Sequence, residues 1–73
     1  MNERRLRYDI ESIGTVAGYI WQDLNQNGPK ALGRLARDID APRDLVMQGL
    51  GWLAREGKVK FEQRSRGCWV SLT

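Results

Sequence analysis

The sequence predicts an α+β fold: three helices followed by a C-terminal β-hairpin, with a short first strand between the first and second helices. Three observations predict it. Apolar residues recur at three- and four-residue steps as far as Leu53, and beyond Gly57 the period switches to alternation. The breaks between segments fall where glycine and proline stand, at Asn27-Gly28-Pro29, Asp40-Ala41-Pro42 and Gly57.

Ile10, Ile13, Val16, Ala17, Ile20, Trp21 and Leu24 fall on one face of a helix from about Asp9 to Gln26. Asp9 is its expected N-cap, and Gly28-Pro29 ends it because glycine adopts the left-handed conformation after a helix and proline cannot continue one. Pro29-Lys30-Ala31 is the place for the short strand. Leu32, Leu35, Ala36 and Ile39 give a second helix of roughly three turns. Pro42 suits the first turn of a third, which carries Leu45, Val46, Gly49, Leu50 and Leu53 on one side and stops at Gly57.

Val59 and Phe61 then alternate with Lys58, Lys60 and Glu62, and Cys68, Val70 and Leu72 alternate with Trp69, Ser71 and Thr73. Each stretch reads as a strand with one buried face, so Cys68 is expected to be buried and inert. Arg64-Ser65-Arg66-Gly67 supplies the turn of an antiparallel hairpin. This order of elements is that of a winged helix-turn-helix domain. It is read as one domain over residues 1–73, with a basic N-terminal segment at 1–8 and the hairpin wing at 58–73.

The stretches GWLAREGKVKF at residues 51–61, DIDAPRDLVMQGL at 38–50 and WVSLT at 69–73 resemble a small family of bacterial and archaeal winged helix-turn-helix proteins of unknown function. The resemblance covers nearly the whole chain. It implies the fold and brings no catalytic or cofactor residues with it.

Composition narrows the function classes. At 73 residues the chain buries only about 60% of the surface its unfolded form exposes, leaving no second domain to close a cleft. Histidine is absent, which removes the Ser/His and Cys/His nucleophile pairs and every imidazole metal site. Cys68, the one cysteine, makes no internal disulfide or cysteine-rich zinc site by itself. No enzyme activity, cofactor, metal or small-molecule substrate is expected. With no run of about 18 apolar residues, and with Asp9 and Glu11 following Arg4, Arg5 and Arg7, no membrane partner is expected either and cytoplasmic residence is the default.

The net charge of +3 is unevenly spread. Residues 1–8 carry +2, residues 9–28 carry −3, residues 29–57 carry +1 and residues 58–73 carry +3. The third helix is itself neutral, because Asp44 and Glu56 offset Arg43 and Arg55. Its outward stripe, at 100° per residue, is Asp44, Gln48, Gly51 and Arg55, flanked by Met47. Gln48 and Arg55 are suited to base edges and Arg43 to a phosphate. Asp44 either favours the positive helix N-terminus or accepts from a cytosine amine.

The hairpin is the more basic element. Lys58 and Lys60 share its outward face with Trp69, and Arg64 and Arg66 lie at its tip. That set suits phosphates, with the indole stacked on a sugar or base; the alternative is that Trp69 packs across the hairpin or against the N-terminal segment. The glycines at 14, 18, 33, 49 and 51 fall within expected helices, and close helix approach at Gly14 and Gly49 is the simplest offset to their cost. Trp21 and Trp52 read as core-boundary residues. Asp38 and Asp40 read as helix-capping residues.

The sequence therefore points to a non-enzymatic DNA-binding module, transcription-factor-like or chromatin-associated. Its candidate contacts with duplex DNA are Arg43, Gln48, Arg55, Lys58, Lys60, Arg64, Arg66 and Trp69. The alternative is a protein-interaction module, or a homodimer, that uses the same scaffold without DNA.

Overall fold

The computed structural model describes residues 6–73; of the basic N-terminal segment expected at residues 1–8, residues 1–5 lie outside the described residues. The chain runs α1 (Ile10–Asn27), β1 (Lys30–Ala31), α2 (Leu32–Asp38), α3 (Arg43–Arg55), β2 (Val59–Arg64) and β3 (Gly67–Leu72). Asp9 caps α1 in extended backbone, its carboxylate accepting from the Ser12 N–H at 2.8 Å. Gly28 ends α1 at φ 82° while its N–H bonds the Leu24 carbonyl, a conformation that residues with a Cβ seldom adopt.

α1 and α3 form the main helix pair, and their buried faces meet around Gly49. A Cβ at that position would lie 3.0 Å from the Ala17 backbone nitrogen and 3.3 Å from Val16 Cγ1. Glycine is what lets the two helices come so close. Gly14, expected to help in the same way, would place a Cβ in open space; helix approach at α1 is set by Val16 and Ala17 instead.

One apolar cluster joins these helices to α2 and the sheet. Val16, Ile20, Leu35, Leu45, Val46 and Val70 are its fully buried centre, with Leu24, Leu50, Leu53 and Val59 around them. Removing such side chains from water supplies most of the driving force for folding. The sheet order is β1-β3-β2, antiparallel throughout, with Lys30 opposite Val70, Ala31 opposite Trp69 and Phe61 opposite Val70.

Several expectations are corrected. α2 is two turns long and not three, because Ile39 is its C-cap in extended backbone, although its side chain still enters the core. Ile10 is 71% exposed, since the helical repeat sets it at the edge of the face that buries Val16, Ile20 and Leu24. The hairpin also outruns the core: only Val59 and Val70 are buried, Cys68 is half-buried, and Phe61 is 49% exposed.

Asp38 and Asp40 cap no helix. α3 begins after Pro42 without a side-chain cap, and Asp38 is instead part of an ion cluster. In the antiparallel register Lys30 shares a face with Val70, which turns it towards the helices. There its ammonium donates to Asp23 Oδ2 at 2.9 Å and to Asp38 Oδ2, while Arg34 Nε also reaches Asp38 at 3.2 Å. Lys30 thus ties β1 to α1 and to the end of α2. The Asp38 carboxylate raises the Lys30 pKa, and Lys30 in turn lowers that of Asp38.

Candidate nucleic-acid interface

The buried residues of α3 are Leu45, Val46, Gly49, Leu50 and Leu53. The helical repeat therefore presents Asp44, Gln48, Gly51 and Arg55 on the opposite side, and all four are exposed. Arg43 opens the helix and Arg55 closes it, which separates them by about 18 Å at 1.5 Å per residue. Asp44 lies in the first turn and Arg55 in the last, so each charge suits the helix dipole at its own end. That placement accounts for Asp44 without a base partner.

The wing is built by a two-residue turn, Ser65-Arg66, between Arg64 and Gly67. Gly67, the first residue of β3, takes φ 126°, while neither Ser65 nor Arg66 has a positive φ. Lys60, Glu62 and Arg64 alternate onto one face of β2, and Glu62 stands directly opposite Trp69. Arg64 is folded back along this face. Its Nη2 donates to Glu62 Oε1 at 2.9 Å, and its guanidinium lies 4.3 Å from the centre of the Trp69 ring, a cation–π contact. Arg64 lowers the Glu62 pKa by hydrogen bonding and by charge.

The eight residues singled out from the sequence thus separate into two groups. Lys58 is paired with Glu56 at 3.7 Å, and Arg64 is held by Glu62 and Trp69. Arg43, Arg55, Lys60 and Arg66 make no ion pair among the described residues, and with Gln48 they are exposed. The half-buried indole of Trp69 is thus occupied by Arg64 from the opposite strand of the hairpin.

Sequence reading missed the two carboxylates that hold these cations. The signal was present: Glu62 and Arg64 are two apart on a strand and so share a face, and Glu56 and Lys58 flank the tight turn at Gly57. Away from the wing, Trp21 and Trp52, 40% and 37% exposed, flank a groove of about 360 Å³ with Gly14 and Gly18 in its lining. Among the described residues no group of histidine, cysteine, aspartate and glutamate is arranged to hold a metal, and no helix is long and apolar enough to cross a membrane.

Three helices, the last two joined by a tight turn, and a three-stranded antiparallel sheet ending in a hairpin define a winged helix-turn-helix domain, a class that commonly binds DNA through its third helix and its wing. Such domains are typically non-enzymatic. The chain belongs to the family described as Winged helix-turn-helix domain (DUF2582), a domain of unknown function; the match covers residues 7–72. No curated protein matches it.

Proposed function

We propose that this protein binds duplex DNA, with the exposed stripe of α3 in the major groove and the wing on the phosphate backbone. One observation carries the reading: Arg43, Arg55, Lys60 and Arg66 are exposed and make no ion pair among the described residues. They stand on the two elements that a winged helix offers to DNA. Gln48 and Arg55 are the base-reading candidates of the stripe, and Arg43, Lys60 and Arg66 are phosphate contacts. Lys58 and Arg64 would have to leave Glu56 and Glu62 to join them, so they add less than their charge suggests. Trp69 acts on DNA indirectly, by holding Arg64.

About three phosphate contacts give a log–log salt slope near −3, which is roughly a 50-fold loss of affinity between about 50 and 200 mM salt. The test is the affinity for a fluorescent duplex across that range. Arg66→Ala weakens binding to all sequences alike and brings the slope about one closer to zero, whereas Gln48→Ala alters the preference between sequences. No binding at low salt, or binding without salt dependence, refutes the proposal.

A further inference from the structure

β2 is an edge strand, and among the described residues its outer edge is unpaired. The hairpin register fixes which groups lie there. A two-residue turn makes Arg64 and Gly67 a hydrogen-bonded pair, and pairs of that kind recur at every second residue. Lys58, Lys60, Glu62 and Arg64 therefore turn their backbone groups towards β3, and the bond from the Thr73 N–H to the Lys58 carbonyl, at 3.2 Å, agrees with this phase. The N–H and C=O groups of Val59, Phe61 and Gln63 point outward. Among the described residues none of them has a hydrogen bond elsewhere.

From this edge we propose that the protein forms a homodimer by antiparallel pairing of β2 with β2 of a second copy, centred on Phe61. Charge selects both the occupant and the register. A two-fold centred on Lys60 sets Lys60 against its own copy, and one centred on Glu62 sets Glu62 against its own copy and Lys60 against Arg64. Centred on Phe61, the pairing places Lys60 opposite Glu62 of the second copy, and Glu62 opposite the second copy's Lys60. These are non-hydrogen-bonded positions, where side chains on neighbouring strands lie closest.

The same register pairs all the outward backbone groups. Phe61 pairs with Phe61, and Val59 with Gln63 in both directions, for about six new main-chain bonds. The two Phe61 rings, each 49% exposed in the single chain, meet across the axis on the face opposite the charges. Lys60, which lacks an ion partner among the described residues, gains one. Lys58 faces Arg64 across this pairing, but both already hold carboxylates, Glu56 and Glu62. Lysine on an edge strand ordinarily discourages pairing; here the sequence Lys-Phe-Glu complements itself. The proposal does not depend on DNA binding.

The test is sedimentation velocity on the full chain, without DNA, from about 10 μM to about 1 mM, a range that brackets weak strand-edge association. The wild type is expected to pass from monomer to dimer. K60E sets two carboxylates opposite each other and E62K sets two lysines opposite each other, and each is expected to weaken the dimer about tenfold or more. An equimolar mixture of K60E with E62K restores the opposite-charge pairs at positions 60 and 62, as does the double variant, and both are expected to dimerise more tightly than either single variant.

F61P removes an outward N–H and leaves the β2–β3 ladder intact, so it is expected to keep the wild-type circular dichroism and remain monomeric. In hydrogen exchange, the amides of Val59, Phe61 and Gln63 gain protection with rising concentration. A monomer at every concentration overturns the proposal. So does a dimer that K60E, E62K and F61P leave unchanged, or a mixture that associates no better than either single variant.

Discussion

Replacing Gly49 by alanine tests the packing that sets α3 on α1. The added Cβ lands 3.0 Å from a backbone nitrogen in the middle of α1 and 3.3 Å from Val16, a side chain with no exposed surface. Neither neighbour is the free end of a flexible side chain, so the helices themselves must part by several tenths of an ångström. Overpacking of this kind costs about 1–3 kcal/mol, and alanine's better helix propensity returns up to about 1 kcal/mol. The net expectation is a loss of about 1–2 kcal/mol, or roughly 5–15 °C in Tm for a domain of this size. Gly18→Ala and Gly51→Ala are the controls, because a Cβ at either position meets nothing within 4 Å. Each is expected to gain about 0.5–1 kcal/mol. Urea denaturation of the three variants measures the contrast. If Gly49→Ala stabilises the protein as much as the controls do, the close approach of α1 and α3 is refuted.

Other consequences follow from the ion pairs and caps. Lys30→Met removes both ion pairs from Asp23 and Asp38 and is expected to lower Tm by about 5 °C, read by thermal circular dichroism. Asp9→Ala leaves the Ser12 N–H uncapped and is expected to lower Tm by a similar amount, about 5 °C, whereas Asp9→Asn retains most of the stability. In a pH series of urea midpoints, Asp9, Asp38 and Glu62 have folded-state pKa values below their ordinary ones; their contribution is complete above the ordinary carboxylate range and is lost as pH falls through the lowered values. Lys30 is raised above 10.5, so its contribution is complete below that pH and is lost as pH rises beyond it. With no histidine in the chain, the profile between about pH 5 and 9 is expected to be flat. A step near pH 6–7 would contradict this account.

Periodicity and punctuation carried most of the fold. The apolar steps from Val16 to Leu24 and from Leu45 to Leu53, the Asp9 cap and the glycine after α1 are local signals, and the structure follows them. The departures occur where burial depends on how far an element reaches. Alternation placed Phe61 and Cys68 on the inner face of the hairpin correctly, but no local pattern states that the wing extends past the helices and leaves that face half-open. Gly14 and Gly49 look alike along the chain, and only the crossing of α1 and α3 separates them. At the candidate interface, residue types and helical phase were legible. The pairing of Arg64 with Glu62 and Trp69 required the strand register, and it changes the reading of the wing: its cations are partly internal, with Lys60 and Arg66 left over.

The most direct test of the DNA-binding reading is a duplex titration followed by amide chemical shifts at low salt. The reading predicts that shifts concentrate at Arg43, Gln48 and Arg55 on α3 and at Arg66 in the wing, and fade together as salt is raised. Shifts confined to the groove between Trp21 and Trp52, or no shifts at low salt, would contradict it.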